Sequence, residues 1–180
     1  MRITREESAG LIIDIQERLF PFIHENEMVL KNTATLIKGL QAVGIPLLVT
    51  QQYTKGLGST LQPLREALGS EDYIEKMAFS CCDDEGFMNE LKRLNRRFVI
   101  VAGIESHVCV LQTTIDLLEN NFQPVVVEDC ISSRKSNDKA IAVARMRAEG
   151  AIITTYESLL FEVLRYSGTP EFKEISKLVK

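Results

Sequence analysis

Histidine is scarce in this chain: His24 and His107 are its only two in 180 residues. A zinc site would have to draw on scattered cysteines or carboxylates. The four cysteines do not offer one, because Cys81 and Cys82 are adjacent and lack metal-ligand spacing. Nor does a cytosolic chain of this size need disulfide staples, so neither metal nor cofactor is expected. Positive charge is not in excess: 21 Lys and Arg face 25 Asp and Glu, a net charge of −4, with no basic face for nucleic acid. The longest apolar runs have only strand length and cannot span a bilayer, so no membrane partner is expected. Residues 1–8, Met-Arg-Ile-Thr-Arg-Glu-Glu-Ser, do not resemble a signal peptide, which makes a cytoplasmic location the expectation. Internal repeats, low-complexity tracts and linkers are missing too. One domain over residues 1–180 is expected.

What is present is an alternation of apolar runs with helical patterns. Strands are expected at 11–13, 45–50, 72–76, 98–102, 124–128 and 151–154. Helices are expected near 26–43, 61–68, 84–95, 106–120, 137–149, 155–165 and 170–179. This order predicts an α/β fold: a doubly wound, mostly parallel six-stranded sheet, order 3-2-1-4-5-6, with helices on both faces. Ligands of such sheets bind beyond the carboxyl ends of the strands, where strand order reverses. Asp14 closes the first strand and Cys109 follows the fourth, which makes them neighbours in space. Lys76, ending the short third strand, faces the same edge.

The stretch Val101-Ala102-Gly103-Ile104-Glu105-Ser106-His107-Val108-Cys109 is the most informative. An apolar run stops at a glycine, turns, and enters a helical pattern whose first turn contains a thiol. Unpaired N–H groups and the helix dipole there favour a thiolate and can hold an oxyanion. With Asp14 as general base and Lys76 as electrostatic partner, Cys109 can attack a carbonyl and form an acyl-enzyme that water resolves. Each residue also has an ordinary reading: Cys109 as a small core residue, Asp14 as a turn residue, Lys76 as a solvated surface group. Phe20, Tyr53 and Ile104 are candidates for the pocket wall, and Gln16 and Gln52 for hydrogen bonds to a substrate amide. His107 lies about 200° around the helix from Cys109, so it does not face the thiol. Ser133 and Arg134 are expected to fix the loop after the fifth strand.

Several motifs resemble the isochorismatase-like cysteine hydrolases, over about residues 9–178. They are Asp14-x-Gln16-x-x-Leu19-Phe20, Lys76-x-x-Phe79-Ser80, Gly103-Ile104-Glu105-Ser106-x-x-Cys109 and Asp129-x-x-Ser132-Ser133-Arg134. Gln51-Gln52-Tyr53-x-x-Gly56-Leu57-Gly58 and Ala144-Arg145-Met146-Arg147 are similar to the subgroup known only as isochorismatase domain-containing proteins. The resemblance implies a three-layer α/β/α fold and an Asp–Lys–Cys triad at Asp14, Lys76 and Cys109. It further implies a non-proline cis peptide at Ile104–Glu105, oxyanion donors at the backbone N–H groups of Glu105 and Cys109, and a homo-oligomer. Nicotinamidase members carry an Asp-x-His metal pair after strand two. Gln51-Gln52-Tyr53 stands there instead, which implies neither zinc nor nicotinamide. The expected function is metal-free, cysteine-dependent hydrolysis of a small amide or related carbonyl compound through a thioester. The alternatives are a catalytically idle oligomeric scaffold that binds partners and a redox-active thiol protein.

Overall fold

Strands buried on both faces form where helices cover a parallel sheet on each side. In the computed structural model, which describes residues 1–180, the strands are β1 (Ser8–Ile13), β2 (Leu47–Gln52), β3 (Ile74–Lys76), β4 (Phe98–Ile104), β5 (Gln123–Ser132) and β6 (Ile152–Thr154). The helices are α1 (Asn26–Ala42), α2 (Thr54–Leu57), α3 (Gln62–Leu68), α4 (Glu85–Leu94), α5 (Leu111–Glu119), α6 (Ser136–Glu149), α7 (Tyr156–Leu164) and α8 (Pro170–Leu178). The strand order is β3-β2-β1-β4-β5-β6, and every pair is parallel rather than most.

Alternation along the strands divides the core into two apolar layers. Ile12 of β1 and Ile100 and Ala102 of β4 join Leu36 and Leu40 of α1, Leu64 of α3, Leu160 of α7 and Ile175 of α8 on one face. Leu11, Ile13, Val99 and Val101 point the other way and join Phe87 of α4, Leu117 of α5 and Met146 of α6. The result is a three-layer α/β/α molecule. Each fully buried aliphatic side chain contributes about 1.5–3 kcal/mol to holding the layers together.

The boundaries differ from the expected ones in ways that matter for the site. β1 begins at Ser8 rather than at residue 11, because Ser8, Ala9 and Gly10 are small enough to be buried there. β2 runs two residues further than expected, through Gln52, and so brings that residue level with Lys76. β5 extends to Ser132, although the polar Glu128-Asp129 pair suggests an end at 128. Its pairing with β4 shifts register between Val101 and Gly103, so the chain bulges and resumes at Ile131 and Ser132. Asp129 is held in that bulge: its carboxylate accepts the N–H of Tyr156 and its carbonyl accepts the Asn32 amide.

Candidate active site

Register places the site. Ile13 lies opposite both Thr50 of β2 and Gly103 of β4, and Gln52 lies opposite Lys76 of β3. Asp14 and Tyr53, each one residue past its strand, have positive φ values of 51° and 38°. Asp tolerates this left-handed geometry, and it turns the chain sharply away from the sheet edge. Gly103 must be glycine: its φ is 143°, and a Cβ there would lie 2.3 Å from the Ile13 carbonyl oxygen. The peptide between Ile104 and Glu105 is cis.

Lys76 and Asp14 are each only 1% exposed, and the ammonium donates to Asp14 Oδ2 at 2.6 Å. The same Nζ also meets Gln52 Oε1 at 2.9 Å and the carbonyl oxygens of Ala78 and Phe79 at 3.1 and 3.2 Å. Thr50 donates to the second carboxylate oxygen at 2.8 Å. The Cys109 thiol points at this cluster, with Sγ 3.8 Å from Gln52 Oε1. Asp14, Lys76 and Cys109 are thus brought together at one sheet edge.

The thiol does not have the character that its helical position suggests. Burial, followed by the Asp14 charge, pushes the Cys109 thiol well above its ordinary value, and the opposing pull of Lys76 does not offset them. Lys76 itself is held above its usual value: burial favours the neutral amine, but the Asp14 charge beside it outweighs that. Burial at this position thus favours the neutral thiol over the thiolate. The local backbone also differs, since Ser106–Val110 forms one π-helical turn ahead of α5. The Glu105 carbonyl accepts from Val108 and Val110, while the Glu105 N–H donates to no acceptor in the protein.

A cavity of about 100 Å³ opens onto the thiol. Asp14, Gln52, Ile104, Glu105 and Cys109 line it, together with Leu19, Leu57, Phe79 and Val108. Ile104 lines this cavity, whereas Phe20, Tyr53 and Gln16 do not. Phe20 packs against the main apolar layer, and Tyr53 is 45% exposed with its ring over Gly56. Gln16 is fully buried: its amide donates to the Gln52 and Gly58 carbonyls and accepts the Gln52 N–H, so it braces β2. Gln52 has its amide committed as well, to Lys76 and, through Nε2, to the Met77 carbonyl. Thr50 escaped notice, although it shares a face of β2 with Gln52 by strand alternation. Glu105 also gains a side-chain role, since its carboxylate accepts both the backbone N–H and the Nε of Arg134 at 3.0 Å. His107 turns away to Ser133, with Nδ1 and Oγ 2.9 Å apart. No group of three or more His, Cys, Asp or Glu side chains is placed to share a metal ion.

Residues 8–158 match the isochorismatase domain. The chain belongs to the isochorismatase family. It carries the hydrolase fold of that family, and relatives agree along almost its whole length. Isochorismatase family protein 1B of Dictyostelium discoideum is 36% identical, covering 99% of this chain and 89% of its own. The structure described as the MAR1 ribonuclease of Caenorhabditis elegans superposes with a TM-score of 0.93 at 39% identity, covering 99% of this chain and 92% of its own. The Escherichia coli YcaC protein, described as an octameric hydrolase of unknown specificity, shares the fold (TM-score 0.92) at 21% identity, covering 99% and 90%. No helix is long and apolar enough to cross a membrane.

Proposed function

We propose that this isochorismatase-family chain is a cysteine-dependent hydrolase of a small amide or related carbonyl compound, acting through a thioester on Cys109. One observation carries the reading: a lysine and an aspartate, both sealed from water, are paired at 2.6 Å beside a thiol that opens onto a cavity. Burying two such charges costs several kcal/mol each before their attraction repays it, so a purely structural role is an expensive use of them. Because burial favours the neutral thiol, attack requires an acceptor for its proton. Asp14 is that acceptor, and it later returns the proton to the leaving group. Lys76 holds Asp14 in place and favours the thiolate as it forms. The backbone N–H groups of Glu105 and Cys109 are the proposed donors to the tetrahedral oxyanion.

The competing readings fit less well. Cleavage of RNA, suggested by the name of the C. elegans relative, calls for phosphate-binding cations, whereas this chain carries a net charge of −4 and a cavity far smaller than a nucleotide. A redox sensor calls for an exposed, low-pKa thiol, and Cys109 is buried with its pKa raised. An idle scaffold has no need of the buried pair. We also propose self-association, with the octameric E. coli protein as the supporting likeness; light scattering on the purified chain measures it.

Acyl-enzyme trapping tests the central reading. The protein is mixed with p-nitrophenyl acetate, quenched in acid and analysed by intact mass and peptide mapping. Wild-type protein should carry acetyl on Cys109, and Cys109→Ser should carry none there. Asp14→Asn should lose about 10²–10⁴-fold in turnover. Acetyl confined to other residues, or an unchanged rate in Asp14→Asn, would refute the assignment.

A further inference from the structure

Another cavity, of about 420 Å³, lies away from Cys109, beside the first half of β2 on the outer edge of the sheet. β3 is the edge strand there. It starts at Ile74, two residues later than its sequence pattern suggests, and pairs only with Thr50, Gln51 and Gln52. Leu47, Leu48 and Val49 therefore have no strand on that side.

Alternation of the ladder decides which backbone groups this leaves open. Gly10 and Asp14 donate to the carbonyls of Pro46 and Thr50, so the even-numbered residues of β2 face β1. Leu47 and Val49 face outward. A longer β3 would bring the Asp72 carbonyl to the Val49 N–H and the Asp72 N–H to the Leu47 carbonyl. The Asp72 N–H instead donates to Ser70 Oγ at 2.9 Å, as the chain turns on itself. No acceptor in the protein takes the N–H of Leu47 or Val49, and no donor meets the Leu47 carbonyl.

The cavity beside these groups is apolar within and acidic at its rim. Leu47, Leu48, Val49 and Ile74 form the floor, with Leu68 and Tyr73 beside them. Arg93 is held by Glu90 and Arg65 by Glu71, whereas Asp72 has only the Ser70 hydroxyl, at 2.7 Å. Glu66 adds a further carboxylate close by.

We infer that this edge binds a short extended segment of a partner protein, added to β2 in line with β3, with apolar residues two apart and lysine or arginine between and beside them. In a parallel ladder, the incoming residue beside Leu48 supplies two missing partners. Its carbonyl takes the Val49 N–H, and its N–H meets the Leu47 carbonyl. Its two neighbours share the face of Leu47 and Val49, where Leu68 packs. Its own side chain shares the Leu48 face, towards α4 and Glu90. A small apolar molecule would leave the ladder groups unpaired, and an anionic segment would meet the acidic rim without a free cation.

The test follows backbone amides of the isotope-labelled protein by NMR as acetyl-Lys-Val-Lys-Val-Lys-amide is added to about 1 mM. Two control peptides are compared, one N-methylated at its central lysine and one with glutamate in place of every lysine. Exchange of the Leu47 and Val49 amides should slow by about fivefold or more with the first peptide. N-methylation should raise Kd by about tenfold, and glutamate by about threefold or more. No change at either amide overturns the proposal. Binding that N-methylation leaves unweakened also overturns it, by marking a site for small apolar groups. Protection that grows with protein concentration alone overturns it in favour of a second copy on this edge. Equal binding of the glutamate peptide overturns the basic class of partner.

Discussion

A lysine ammonium shut away from water is tolerated only while its partners stay in place. Lys76→Met removes one charge of the buried pair and strands the Asp14 carboxylate, so it should destabilise the protein by about 3–5 kcal/mol in urea unfolding. Lys76→Met combined with Asp14→Asn removes both charges and should regain most of that loss. Wild-type stability in the single variant would show that the two side chains are not paired. The residues of this pair were legible in the sequence, because strand ends in a doubly wound sheet converge on one edge. Their supporting contacts were not. Gln16 and Gln52 read as free polar side chains in one dimension, yet both have their amides saturated by backbone or by Lys76. The thiol's surroundings are hidden for a related reason: the helix terminus argues for a thiolate, and only the folded chain reveals the burial that opposes it.

Among the elements, the junction of β4 with the π-helical turn sets the cavity. Gly103 approaches the β1 backbone so closely that no side chain fits, and its φ is one that L-residues rarely adopt. Gly103→Ala should therefore lower stability by about 2–4 kcal/mol, read from thermal unfolding, and abolish turnover as β1 and β4 separate at the site. An active variant with an unchanged melting temperature would contradict the close approach. The glycine was visible in the sequence as the stop of an apolar run. The π turn was not, because it is a single five-residue turn ahead of α5, too short to leave a periodicity of its own in the sequence. The β5 bulge was hidden too: Glu128 and Asp129 look like a turn, while long-range bonds to Asn32 and Tyr156 keep the strand going.

Over the whole molecule, the buried thiols make stability depend on alkaline pH. Burial is the leading cause that pushes Cys81 and Cys82 up to about 12, and Cys130 and Cys109 are also raised. In the unfolded chain these thiols ionise near pH 8.5, whereas in the folded chain they keep their protons. Above that pH the unfolded state binds fewer protons, so stability falls as pH rises from about 8.5 towards 12, by about 1.4 kcal/mol per unit for each thiol. The Lys76 contribution has the same sign, present below its unfolded value and lost as pH rises through its folded one. Urea midpoints measured from pH 8 to 10 should decline, and less steeply in Cys81→Ala. A flat profile would contradict the burial of the thiols. The architecture itself was the most legible feature, since six apolar runs separated by helical patterns admit few topologies. Cavity volume and its apolar wall were not, because Leu19, Leu57, Phe79 and Val108 come from four separate segments.

The most direct measurement is the pH dependence of Cys109 alkylation by iodoacetamide, followed by peptide mass spectrometry, in wild type and Asp14→Asn. A thiol coupled to a buried carboxylate should alkylate with a midpoint well above the ordinary value of about 8.5, and that midpoint should fall when Asp14 loses its charge. An ordinary or lowered midpoint, indifferent to Asp14→Asn, would mean that the thiol and the buried pair do not form one site.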